Sequence, residues 1–118
     1  MLNIEITKGN TSTGQLEFKV NGVNSRSGDG DAKKNWQVHW RVGPNTDVLA
    51  IDDIQMKSRG GSTDIFTADP PSPQDANNKH WKANVDDSAP DGVDYLYDII
   101  WLSAKGQKIH DPKISIKP

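Results

Sequence analysis

Three histidines, His39, His80 and His110, are the side chains of this chain best suited to metal chemistry. A blue-copper electron-transfer site needs two histidines and a cysteine, and the absence of cysteine excludes such a site. The histidines lie on different predicted elements and lack a short ligand spacing such as His-x-His. A copper or zinc site made of all three stays formally open, but we predict neither a metal site nor a cofactor. The alternation around His39 places its side chain at the surface.

Aspartates concentrate in two loop segments, residues 29–31 and 86–94, and offer the hard oxygen ligands that calcium prefers. Neither segment has the ligand spacing of an EF-hand loop. Aspartate is also a common turn and capping residue, since its side chain bonds nearby backbone amides. Two interpretations therefore stand side by side, calcium binding and turn capping, and we favour capping.

No short catalytic motif is present: the chain has no Gly-x-Ser-x-Gly, no phosphate-binding glycine loop and no His-Glu-x-x-His. Ser103 and His110 can be drawn as a dyad across a hairpin, a pairing that chance often produces. The adjacent carboxylates Asp52 and Asp53 point to opposite faces of a strand unless a bulge realigns them. We therefore predict that the protein is not an enzyme.

The 118 residues suffice for one domain, residues 1–118, that buries a core without disulfides. A net charge of −2 with scattered cations predicts no nucleic-acid partner and no membrane partner. The chain enters a strand pattern at once, without a signal-peptide pattern or a long apolar run. We expect cytoplasmic synthesis; a chain trimmed of an export signal would have the same sequence.

Alternating apolar and polar residues predict about seven strands, near residues 2–7, 16–20, 35–42, 48–56, 81–85, 95–102 and 109–117. Ser72 before Pro73 suits a helix start, so we predict at most one short helix, over residues 73–79. The fold class is thus all-β, an antiparallel Greek-key sandwich, with a small barrel as the alternative.

One motif adds a resemblance. Asp91 stands four residues before Tyr95, as in the tyrosine corner of an immunoglobulin-type strand F, and Tyr97 stands where antibody domains carry their second cysteine. Trp36 or Trp40 matches the tryptophan of strand C. The chain therefore resembles immunoglobulin-like and cupredoxin-like sandwiches. This resemblance implies that the Tyr95 strand lies beside the Trp36 strand, and it implies no particular activity.

The Tyr95 strand presents an unusual outer face. If Tyr95 and Trp101 point into the core, the outward residues are Leu96, Asp98, Ile100 and Leu102, three of which are large and apolar. The neighbouring strand would extend this patch with Gln37, His39 and Arg41, and Arg41 or His39 would neutralise Asp98. We predict a binding or assembly module that uses this combined patch to form a homodimer or to hold a protein partner.

Three alternatives remain open. In the first, residues 62–79 fold over the apolar side chains of the Tyr95 strand, which then belong to the core. In the second, the run His80, Trp81 and Lys82 presents an exposed aromatic platform for carbohydrate, as in lectin-like sandwiches. In the third, the chain is a cysteine-free, cupredoxin-like domain that binds calcium or copper.

Overall fold

Eleven strands form from the alternating segments in the computed structural model, which describes residues 1–44, 46–58 and 60–118. The strands are β1 (Leu2–Gly9), β2 (Leu16–Val20), β3 (Val23–Ser25), β4 (Gly30–Ala32), β5 (Gln37–Val42), β6 (Ala50–Met56), β7 (Ser72–Pro73), β8 (His80–Asn84), β9 (Asp94–Ser103), β10 (Gly106–His110) and β11 (Lys113–Ile116). Three of the eleven have three residues or fewer. The other eight match the seven strands predicted from sequence, with the last predicted strand divided into β10 and β11.

Two sheets enclose one hydrophobic cluster. Sheet 1 has the order β3-β2-β1-β5-β8-β7. Sheet 2 has the order β10-β9-β11-β4, and β6 pairs with the other edge of β9. The long strand β9 therefore lies inside sheet 2, with β6 on one side and with β10 and β11 in succession on the other. The predicted all-β sandwich is confirmed.

The sheets are mixed, and this differs from the purely antiparallel prediction. β1 pairs with β5 in parallel, and β11 pairs with β4 in parallel. Between β3 and β5 the chain leaves sheet 1, forms β4 in sheet 2, and returns. A strand that re-enters a sheet after such a crossover can run parallel to its neighbour, whereas a tight hairpin enforces an antiparallel pair.

No helix forms over residues 73–79, which is within the prediction of at most one short helix. Ser72 and Pro73 form strand β7 against β8, and a turn follows in which the Lys79 amide donates to Asp75 Oδ1 at 2.9 Å. Asn78 closes the turn with a φ of 55°, a left-handed conformation that asparagine tolerates. Local side-chain capping outweighs the weak helix signal here. The described residues contain no helix, and so none long and apolar enough to cross a membrane.

Aromatic side chains from both sheets meet in the core. Trp40 of β5 donates from its indole nitrogen to the Tyr97 hydroxyl of β9 at 3.1 Å, and both residues are fully buried. Phe66 packs edge-on against Trp40 and against Tyr95, which stacks on Tyr97. Burial raises the pKa of Tyr97, so its hydroxyl stays protonated. This hydrogen bond joins the two sheets at the centre of the sandwich.

The tyrosine corner inferred from Asp91 and Tyr95 is not formed. Asp91 lies 3.7 Å from Lys34 Nζ, and both side chains are about half exposed. In the described part of the chain the Tyr95 hydroxyl has no hydrogen bond, although the residue is only 2% exposed. Tyr95 contributes its ring to the core, while the neighbouring Tyr97 makes the structural hydrogen bond.

Trp101 closes the other end of the core. Its indole nitrogen donates to the Gly14 carbonyl oxygen at 3.0 Å, which holds the loop between β1 and β2. Gly9 lies directly against the indole ring, where an added Cβ would come within 2.8 Å of a ring carbon. Glycine is therefore required at position 9 by close approach, because the fully buried ring has no room to shift.

We expect Tyr97→Phe to lower the free energy of unfolding by about 1–3 kcal/mol, because it leaves the buried Trp40 indole N–H without an acceptor. Tyr95→Phe is the matched control; the Tyr95 hydroxyl has no hydrogen bond within the described residues, so this variant should lose less stability than Tyr97→Phe. Urea denaturation of both variants measures the difference. Equal losses for the two variants would contradict this account of the core.

Candidate functional site

Strand β9 divides its side chains strictly between core and surface. Tyr95, Tyr97, Ile99 and Trp101 are at most 2% exposed, as the sequence predicted. The alternate residues Leu96, Asp98, Ile100 and Leu102 point outward and are half-buried among their neighbours. Two large apolar side chains, Ile100 and Leu102, thus occupy the outer face of sheet 2 near its middle.

Strand β10 enlarges this apolar surface. Ile109 lies directly opposite Ile100 in the β9–β10 register, so both side chains share the outer face. Ile109 is 54% exposed, which is high for isoleucine. On the other side of β9, Ala50 of β6 lies opposite Leu102. We call the group Ile100, Leu102 and Ile109 the sheet 2 patch.

Ile109 was not among the site residues predicted from sequence. The hairpin after β9 has a two-residue loop, which pairs Ser103 with Gly106. Counting back from that pair places Ile109 opposite Ile100. The hairpin signal at residues 104–106 therefore carried enough information to find it.

Polar side chains border the patch, and they are paired within the protein. Lys57 Nζ lies 2.7 Å from Asp98 Oδ1, so the partner of Asp98 is Lys57 and not Arg41 or His39 as predicted. At the other end, Gln107 donates to Asp52 Oδ2 at 2.6 Å. Asp98 can therefore be covered without leaving an unpaired carboxylate, the costly case for a buried charge.

Among the described residues, the segment after β6 makes hydrogen bonds to this face at Leu96, near one end of it. Ser62 Oγ bonds both the amide and the carbonyl of Leu96, and the Lys57 amide donates to the Leu96 carbonyl. The chain then crosses to the other sheet, where β7 pairs with β8. The alternative predicted that residues 62–79 cover the apolar side chains of the Tyr95 strand. Ser62 contacts this strand at Leu96, whereas β7, later in the same segment, belongs to sheet 1.

The combined patch predicted from the immunoglobulin-like order is wrong. Gln37, His39 and Arg41 point outward from β5, which lies in sheet 1, whereas β9 lies in sheet 2. The two sets of residues therefore occupy opposite outer faces of the sandwich. Strands β5 and β9 meet only through the core, where Trp40 contacts Tyr97.

The outer face of sheet 1 carries a histidine pair that the sequence did not reveal. His39 Nδ1 and His80 Nε2 are 2.8 Å apart, and His39 Nε2 is 3.2 Å from Gln37 Oε1. The ring planes differ by 22° with centres 5.1 Å apart, so the rings meet edge to edge. One neutral arrangement satisfies all these contacts: His80 Nε2–H donates to His39 Nδ1, and His39 Nε2–H donates to Gln37 Oε1.

In this geometry a hydrogen lies between His39 Nδ1 and His80 Nε2, and the two rings are unsuited to chelating a metal ion. The lone pair of one nitrogen points along the line to the other nitrogen, where the shared hydrogen lies. A metal ion bound by both rings would need the two lone pairs to converge on a third point. His39 is only 8% exposed, so it was wrong to predict it as an open surface residue.

Burial lowers the pKa of both histidines below the usual value. For His39 the second cause is electrostatic repulsion from His80, and repulsion from the positive charges of Arg41 and Lys82 follows. For His80 the second cause is repulsion from the positive charge of Arg41, while the negative charge of Asp75 raises the pKa. Both rings are therefore neutral at pH 7, and neighbouring positive charge opposes their protonation.

The other sequence-predicted ligand residues lie in different surroundings. Trp81 is 5% exposed and points into the core, so the exposed platform predicted for His80, Trp81 and Lys82 is not formed. Its indole nitrogen is buried without a hydrogen-bond partner in the described residues. His80 and Lys82 instead point to the outer face of sheet 1, beside β5.

His110 is a core residue, 3% exposed and separate from the other two histidines. Its Nδ1 accepts from the Leu16 amide at 3.1 Å, and its Nε2 donates to the Ser27 carbonyl at 2.7 Å. The Ser103 hydroxyl bonds the Gly106 carbonyl within the hairpin turn. Both side chains thus have structural partners of their own.

The aspartates of both clusters make turn and strand contacts. Asp86 accepts from the Thr67 hydroxyl and the Thr67 and Ala68 amides, and the hydroxyl bond is the largest cause of its lowered pKa. Asp29 accepts from the Lys113 amide, and Asp94 accepts from the Ser115 hydroxyl. Over residues 1–44, 46–58 and 60–118, no three His, Asp or Glu side chains are grouped to hold a metal ion.

The predicted bulge is present at Asp52 and Asp53, where the β6–β9 register shifts. It does not create a carboxylate pair for acid–base chemistry. Asp52 accepts from Gln107, while Asp53 accepts from the Ile54 amide and the Gln55 side chain. Each carboxylate is committed to a separate set of donors at the edge of sheet 2.

No protein-family model matches this sequence, and a search of curated proteins finds no match. The resemblance to immunoglobulin-like and cupredoxin-like groups therefore stays a prediction.

The lowered pKa values predict acid sensitivity. Below about pH 6.5 both histidines are protonated in the unfolded chain, whereas in the folded pair their lowered pKa keeps them neutral. The unfolded state therefore binds more protons. Stability should therefore be fully present above that pH and fall as the pH drops towards the folded pKa values. Urea denaturation at about pH 7.5 and about pH 5.5 measures this loss.

The control is His80→Gln, whose amide can still donate to His39. It should show a smaller loss of stability between the two pH values than the wild type. An unchanged loss would assign the acid sensitivity to groups outside the pair.

Proposed function

We propose that this protein is a non-catalytic assembly module that forms a two-fold homodimer through the sheet 2 patch. The observation that carries the proposal is the directly paired Ile100 and Ile109, which place large apolar side chains together on an outer face. A two-fold axis would repeat Ile100, Leu102 and Ile109, and six apolar groups would then meet.

Four of the sheet edges favour association by a face and not by strand addition. β3 and β4 have three residues each, and β7 has two, including Pro73. Short strands and edge proline are the usual means of preventing edge-to-edge pairing. The edge strand β6 has a bulge at Asp52 and Asp53, and the Asp53 carboxylate binds the next amide of its own strand.

The charges around the patch support a second copy of the chain as the occupant. Lys57 neutralises Asp98 within one protomer, so the partner need not supply a cation. The bordering groups Asp52 and Gln107 are likewise bonded to each other. An apolar centre with a polar rim of satisfied groups is the usual composition of a protein–protein interface.

Light scattering during size-exclusion chromatography should give about twice the monomer mass of 13.0 kDa. Ile109→Lys should return the protein to the monomer, because it places a charge at the centre of the proposed interface. Since Ile109 is 54% exposed, this substitution leaves the fold intact. Ile100→Lys should act in the same direction.

Val23→Lys is the matched control. Val23 is 69% exposed and lies on the β3 edge of the other sheet, so this variant should remain dimeric. A monomeric wild type, or a dimer that Ile109→Lys leaves unchanged, would refute the proposal.

A further inference from the structure

The outer face of sheet 1 contains a compact group of nitrogen-bearing side chains. In the β5–β8 register, Arg41 is opposite His80 and His39 is opposite Lys82. Directly opposed residues have Cβ atoms about 5 Å apart, so the four side chains form a two-by-two cell. Such a concentration of basic groups is unexpected in a chain whose net charge is −2.

The two permanent cations of the cell lack a close counter-charge. Within the residues that the structure describes, neither Arg41 nor Lys82 lies within 4 Å of a carboxylate. Glu5 of β1 is opposite Arg41 on the same face, and Asp75 acts on His80 from the turn before β8.

Like charges on directly opposed strand positions are destabilising, and the cell limits this cost by keeping both histidines neutral. In the neutral pair both N–H groups are bonded within the protein, while His80 Nδ1 keeps its lone pair and has no partner among the described residues. Arg41 and Lys82 therefore flank a neutral centre that gains a free N–H donor only when it takes up a proton. An anion placed between the two cations would reverse the electrostatics. It would stabilise Arg41 and Lys82 and favour protonation of the adjacent imidazoles.

We propose that His39, Arg41, His80 and Lys82 form a site for a compact, doubly charged oxyanion of the sulfate or phosphate class, with proton uptake on binding. Arg41 supplies a planar set of donors that matches two oxyanion oxygens, and Lys82 supplies a point charge. The histidine pair supplies a further N–H donor when it accepts a proton. Binding therefore tightens as the pH falls.

Inorganic sulfate is the direct probe, because it does not change its charge near neutral pH and any pH dependence then reports protons on the protein. Ring resonances of His39 and His80 should shift saturably with sulfate in NMR titrations, and chloride at equal ionic strength serves as the reference. One proton taken up per anion strengthens the affinity up to about tenfold per pH unit between pH 7.5 and the pKa of the pair.

Three variants give the test its specificity. Arg41→Gln and Lys82→Gln should each weaken the sulfate response, whereas Lys19→Gln should not, because Lys19 lies on β2 opposite Glu5 and outside the cell. Methyl phosphate run in parallel tells whether an esterified phosphate fits as well as a free anion.

The proposal is overturned if sulfate and chloride shift the rings equally. It is also overturned if saturation persists unchanged in both Arg41→Gln and Lys82→Gln. A sulfate affinity that is the same at about pH 6 and about pH 7.5 would remove the proton-coupled part of the proposal.

Discussion

The strict alternation of β9 is the constraint on which the rest of the structure depends. This ten-residue strand lies inside sheet 2, and successive side chains on a strand point to opposite faces. Its inner face supplies Tyr97 and Trp101, which bond to sheet 1 and to the loop after β1. Its outer face must then present Ile100 and Leu102. A one-residue change of register would exchange the two sets, so core and surface are specified together.

Much of this could be predicted from the sequence because it depends on local periodicity. The inward and outward residues of β9 follow from the alternation alone, and Ile109 follows from the length of the next hairpin loop. The bulge at Asp52 and Asp53 was visible as an interruption of the alternation in β6. In each case the information lies within a few residues of the feature.

The errors concern pairings that are distant in sequence. Alternation places His39 on an outer face but cannot say which sheet contains β5, and the immunoglobulin-like order assigned it to the wrong one. The contact between His39 and His80 depends on the β5–β8 register, which joins strands about 40 residues apart. The Lys57–Asp98 pair, also 41 residues apart, was missed for the same reason. The short helix that the sequence allowed at residues 73–79 does not form, since Asp75 caps a turn there.

The two outer faces differ in chemistry, and this difference separates their proposed roles. On sheet 2 the charges around the patch are paired within the chain, which suits the apolar partner surface proposed there. On sheet 1 Arg41 and Lys82 flank a neutral histidine pair, which suits the proposed anion. Because the faces lie on opposite sides of the core, a partner on one leaves the other accessible.

The central claim is that sheet 2 packs on sheet 2 of a second copy. An isotope-filtered NOE experiment on a mixture of labelled and unlabelled protein observes contacts between protomers directly. We predict intermolecular NOEs from the methyl groups of Ile100, Leu102 and Ile109 to the same group of residues on the partner. Intermolecular NOEs confined to sheet 1 side chains, or none at concentrations where the wild type is fully soluble, would contradict the account.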